Sequence, residues 1–225
     1  MKRLRIIGLL LLALFALGAF AASTASAEEG VLPLNMKHFN ILGGKAILEN
    51  TEKTKITCLQ LKGEGKFEKD SHGTGTLDFL ECETSGFIVW SLGEKVPSTI
   101  KEALILVPIL FLICLINSTT LLFGIFIELK APIHIDNTTV GILTIVEGTV
   151  IGDILATAGV ASELFLIHFT GKEGVQEFTQ CKDQAEQVKK AALTSTNLEG
   201  KKLASSELTE KTLIQFLEKQ LLMDT

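Results

Sequence analysis

The chain has 225 residues, 47% of them hydrophobic and 21% charged, with a net charge of −5. It is too apolar for a disordered stalk, and too acidic, with no basic run, for nucleic acid or anionic lipid. Its aromatics are thirteen Phe, one Trp and no Tyr, which are core formers rather than the amphipathic rings of a sugar platform.

The first segment has its own logic. Lys2, Arg3 and Arg5 form a basic head, Ile6 to Ala22 is an almost unbroken apolar run, and Ala25-Ser26-Ala27 is a small-x-small cleavage site. This pattern predicts a secretory signal peptide over 1–27, cut after Ala27. No Cys stands near the cut to carry a lipid. The leader holds three of the 21 basic residues, so 18 remain against 26 acidic ones, a net charge of −8. Export also makes disulfides permissible for Cys58, Cys82, Cys114 and Cys181. Their spacings of 24, 32 and 67 match no zinc ribbon and no CxxC pair.

Residues 28–225 read as a single β-rich domain. A strand is expected over His38–Leu42, a turn at Gly43-Gly44 and a further strand from Ala46. Lys55–Glu68 and Thr74–Glu83 form the clearest hairpin, about a turn at Lys69–Gly73. Leu77 and Phe79 share one face, Thr76 and Asp78 the other, the period of a half-buried strand. Folding the chain at 70–71 sets Cys58 opposite Cys82, where Cβ atoms come close enough for a disulfide. Cys114, inside an apolar run, is expected to be free and buried.

Residues 104–127 carry no charged side chain over 24 positions, enough to span a bilayer as a helix. Pro108 and the polar run Asn117–Thr120 argue instead for a β-hairpin. The stronger argument is the period: odd positions from Leu121 to Ile135 are apolar, while even ones become Glu128, Lys130, Pro132, His134 and Asp136. A buried hairpin over 104–135 is therefore preferred to a transmembrane helix at 104–127. Its first arm, apolar on both faces, suits a strand covered on both sides. Strands are next expected at Val140–Glu147, Thr149–Leu155, Glu163–Thr170 and Val175–Cys181, punctuated by Gly148, Gly152, Gly159 and Gly171. In the C-terminal extension, 182–225, strands at Val188–Thr196 and Lys202–Ser206 compete with helix over 183–193 and 207–223. The fold class is mainly β, an antiparallel β-sandwich or barrel-like domain with room for a short C-terminal helix.

No catalytic, cofactor or metal motif emerges. Glu64, Glu68, Asp70 and His72 are acidic and imidazole groups around one turn, but match no calcium loop. Glu147 and Asp153 are a carboxylate pair of the kind a glycosidase uses, and equally two strand ends. Gly63-x-Gly65 and Gly73-x-Gly75 lead to no GK[ST], and suit close packing in paired strands. The four His residues lie far apart, no GxSxG occurs, and Trp90 reads as a core or edge anchor. Asn117 and Asn137 head sequons that also serve as turns.

Taken together, Gly73-Thr74-Gly75-Thr76-Leu77-x-Phe79-x-x-Cys82, Val146-Glu147-Gly148-Thr149-Val150-Ile151-Gly152 and Gly174-Val175-Gln176-Glu177-Phe178-x-x-Cys181 resemble a family of exported bacterial proteins of unknown function. The resemblance covers residues 50–181. It implies export and a β-rich fold, and lends no catalytic residues. It also places another Cys near the position of Trp90, so a different partner for Cys82 stays open. The expectation is a secreted or cell-surface, extracytoplasmic protein, a non-enzymatic structural or interaction component of the cell envelope. The alternatives are an envelope protein with membrane association through 104–127, and a secreted hydrolase with an unrecognised site.

Overall fold

Alternating large apolar and polar residues, with many β-branched Ile, Val and Thr among them, commit this chain to strands. The computed structural model describes residues 38–69, 72–120, 122–137, 144–155, 164–197, 199–209 and 212–216. The expected leader over 1–27 lies outside them, as does Asp70. The strands are β1 (His38–Gly43), β2 (Ala46–Asn50), β3 (Lys55–Lys69), β4 (His72–Thr84), β5 (Phe87–Ile88), β6 (Trp90–Ser91), β7 (Leu104–Asn117), β8 (Leu122–Leu129), β9 (Ile133–Asp136) and β10 (Thr144–Glu147). They continue with β11 (Thr149–Leu155), β12 (Leu164–His168), β13 (Gly171–Lys172), β14 (Val175–Gln176), β15 (Gln180–Lys182), β16 (Val188–Lys190), β17 (Thr194–Thr196), β18 (Lys202–Thr209) and β19 (Thr212–Phe216). Among the described residues, helix is limited to one 3₁₀ turn at Ile100–Glu102.

The pairings return to their starting point. β1 pairs with β3, then β3 with β4, β4 with β7, β7 with β8, β8 with β11, β11 with β12, β12 with β19, and β19 with β1, each antiparallel. Closing the sheet in this way leaves no unpaired edge along the circuit. β2 extends β1 alongside β3, and β18 extends β19 alongside β2. A second, smaller sheet runs β6–β9–β10–β17–β18 and shares β18 with the wall. Ile133, Ile135, Val146 and Leu193 from this side join Ile105, Val107, Ile127 and Val150 of the wall in one core cluster.

The glycines of β3 and β4 have a steric purpose. The rings of Phe39, Phe67 and Phe111 meet inside the circuit near the β3–β4 turn, with centroids 5.0 to 5.4 Å apart. A Cβ at Gly65 would come within 2.4 Å of the Phe39 ring, and one at Gly73 within 2.3 Å of Phe111. Side chains there would exclude the rings.

Midway along the hairpin the faces switch. Leu59 and Gln60 are both exposed while Cys58 and Leu61 are both buried. On β4, Glu81 adopts φ 56°, so Leu77 and Cys82 face the same core despite their odd spacing. Cys58 and Cys82, opposite in register, are disulfide-bonded with Cα atoms 4.0 Å apart.

Cys114 departs from expectation. It is bonded to Cys181, Cα to Cα 5.7 Å, on the outer face of the wall among Leu112, Phe126 and Ile151. The apolar surroundings that made a free thiol plausible are those of a second cluster, which the segment around Cys181 completes. Cross-link entropy gives about 3 kcal/mol for the shorter loop and about 4 kcal/mol for the longer one. Non-reducing peptide mapping should therefore yield the linked pairs 58–82 and 114–181. Replacing Cys114 and Cys181 by Ala should lower the urea midpoint more than replacing Cys58 and Cys82.

Residues 104–127 form β7, a turn at 117–120 and β8, so the transmembrane helix is overturned. Asn117 Oδ1 accepts bonds from the backbone N–H groups of Thr119 and Thr120, and that turn ends the first arm. No helix among the described residues is long and apolar enough to cross a membrane. The expected strand from 121 to 135 is not continuous. β8 ends at Leu129, and β9 belongs to the second sheet. The odd-residue period persists across the break because Ile127 and Ile133 face one core from two sheets. Two more expected strands are likewise divided, Val175–Cys181 into β14 and β15 and Val188–Thr196 into β16 and β17. The C-terminal extension forms strands through Phe216, and 217–225 lie outside the described residues.

Candidate functional site

Where the second sheet lies over the wall, the packing leaves a pocket of about 80 Å³. Leu48, Ile56, Ile105, Ile127, Ile135, Val146, Val150 and Leu193 are among its walls. Every side chain that lines it is apolar except that of Glu207.

The placement of Glu207 follows from β18. That strand begins in the second sheet, where Leu203 pairs with Ser195, and ends in the wall, where Glu207 pairs with Leu48. Paired residues share a face, so Glu207 stands beside Leu48 at the pocket. Ser205, two residues earlier, is 2% exposed and donates its hydroxyl to Ser195. Among the described residues Glu207 has no hydrogen-bond or ion-pair partner. Loss of water around its carboxyl pushes the pKa up from 4.5 to about 7.

That shift links stability to pH. The folded state holds the Glu207 proton between pH 4.5 and about 7, where the unfolded state has released it. More protons bound in the folded state means that stability falls as pH rises through this window. The difference is worth about 3 kcal/mol. Urea unfolding from pH 4.5 to 8 should show this loss in the native protein. Glu207→Gln should remove that component of the slope.

The residues singled out from sequence are not gathered here. Glu68 accepts the Thr74 hydroxyl and lies 3.5 Å from Lys66, an outward pairing beside the β3–β4 turn. Glu147 is ion-paired with Lys202, while Asp153, on β11, lies 3.7 Å from His168 of β12. The first four residues of β11 separate the two carboxylates along the chain, and Asp153 Oδ1 is buried without a hydrogen-bond partner among the described residues. Trp90 is 3% exposed and belongs to the core. Asn137, at 1% exposed, is too buried to accept a glycan. Among the described residues, no three His, Cys, Asp or Glu groups are placed to hold a metal ion. Comparisons of the chain with known protein families, with curated proteins and with solved structures return no match.

Glu207 had no sequence signal. It sits where the expected strand Lys202–Ser206 gives way to a helix-tolerant stretch, and one Glu in a strand usually points to solvent. In β18 it follows Leu203 and Ser205 on one face, and its pairing with Leu48 of β2 sets that face at the pocket.

Proposed function

We propose that this is an exported, extracytoplasmic binding protein that holds a small apolar molecule between its two sheets and does no chemistry on it. The observation that carries the reading is the pocket of about 80 Å³ with aliphatic walls and one acid. Apolar pockets with few polar groups are the usual form of small-molecule sites. Glu207 has no second titratable group beside it in the lining, which supports binding rather than acid–base or nucleophilic catalysis. The two disulfides fit folding in an oxidising compartment. The leader pattern supports export, and the resemblance to exported bacterial proteins supports a place in the cell envelope.

Two measurements test this. The mature protein recovered from the medium or a cell wash should begin at Glu28, and a chain retaining Lys2 would overturn export. A small hydrocarbon such as n-hexane should raise the unfolding temperature in a concentration-dependent way, because a ligand of the folded state stabilises by mass action. No shift up to the solubility limit would overturn the binding reading.

A further inference from the structure

The one polar group in the pocket narrows what the pocket can hold, and this step rests on the binding reading above. A neutral carboxyl offers one O–H donor and one carbonyl acceptor. In Glu207 neither is used by the described residues. Charged groups on the elements packed against β18 are engaged elsewhere or exposed. Glu49 of β2 pairs with Lys55 and accepts the Glu173 N–H, Lys202 pairs with Glu147 of β10, and Lys172 of β13 is exposed. β14 and β17 bring no charged side chain. Glu207 is half-buried, and its carboxyl, at a pocket whose other side chains are apolar, has no partner among the described residues.

We propose that the pocket takes a small neutral aliphatic alcohol, its hydroxyl donating to the Glu207 carbonyl and accepting from the Glu207 O–H. The hydrocarbon body lies against Leu48, Ile127, Ile135 and Val150. The match is one donor and one acceptor on each side. A hydrocarbon of the same size leaves Glu207 unpaired. An alkylammonium brings three donors to one carboxyl and must strip its own hydration to enter.

The test is calorimetric titration of the mature protein at pH 5.5 with pentan-1-ol, n-hexane and pentylamine. The native protein should bind pentan-1-ol at least tenfold tighter than n-hexane. Glu207→Leu should bind the two about equally, and Glu207→Gln, which keeps a donor and an acceptor, should retain most of the preference. Pentan-1-ol should also shift the Glu207 carboxyl ¹³C resonance of the native protein where n-hexane does not, a readout that needs no variant to fold. Equal binding of alcohol and hydrocarbon, a preference that survives in Glu207→Leu, an unmoved carboxyl resonance, or tighter binding of pentylamine would each overturn the proposal while leaving the pocket a binding site. Failure of all three compounds to bind would overturn the binding reading itself.

Discussion

Ile125→Asp and Ile133→Asp should each abolish the cooperative unfolding transition, whereas Lys130→Asp should leave it in place. Ile125 is 3% exposed on β8 and Ile133 is 8% exposed on β9, in different sheets but in one core cluster. Each substitution removes an aliphatic side chain whose burial contributes about 1.5–3 kcal/mol. Each also leaves a carboxyl among aliphatic neighbours, where it must stay protonated or carry an unpaired charge. The sum is about 5 kcal/mol or more, against a total stability of about 5–15 kcal/mol for a domain. Lys130 lies between them in sequence and is exposed, so its replacement should change stability by no more than about 0.5 kcal/mol. Circular dichroism and urea titration of the three variants decide the matter. A membrane span over 104–127 would make Ile133→Asp silent, and a fully folded Ile133→Asp protein would show that the second sheet does not close the core.

The three positions also show how far this sequence can be read. Alternation marks which residues face the core, and it does so correctly for Ile125, Ile127, Ile133 and Ile135. It carries no mark of which sheet a strand joins, so the passage from wall to second sheet at 130–132 leaves no trace in the pattern. The β3–β4 hairpin is legible because its turn chemistry and its register are local, and the opposition of Cys58 and Cys82 follows by counting. The bond from Cys114 to Cys181 closes over 67 residues, and nothing near either Cys announces the other. The pocket is harder still. Its walls are drawn from both sheets, and its one acid is turned inward by a register between β18 and β2 that no short-range signal encodes. The composition of β7 implies burial on both faces, but its outer face is covered only at Leu112 and Cys114, by the segment around Cys181, while Leu106 and Leu110 stay exposed.

Gly148→Val should be the most damaging change at the junction of the two sheets. Gly148 is the single residue between β10 and β11, where the chain leaves the second sheet for the wall. Its φ is +116°, a conformation that residues with a side chain rarely adopt, and its carbonyl accepts the N–H of Leu129 at the end of β8. A Cβ there would lie 2.0 Å from the carbonyl oxygen of Ala192. The obstacle is backbone, fixed because the Ala192 N–H is itself bonded to Thr149, so no rotamer relieves it. Forcing an L side chain into this region costs about 1–3 kcal/mol, and overpacking a fixed neighbour about 1–3 kcal/mol more. Relief by turning the peptide would sacrifice the bond to Leu129 and move the pocket wall on both sides. The expected loss is thus about 4 kcal/mol, and the pocket, which Gly148 lines, should fail before the circuit does. Gly200 offers the control: its φ is +76° but no atom lies within 4 Å of an added Cβ, so Gly200→Ala pays backbone strain alone. Urea midpoints measured side by side should rank native, Gly200→Ala and Gly148→Val in falling order. Equal effects at 148 and 200 would show that the approach of Ala192 does not constrain the junction, and that only the left-handed backbone matters there.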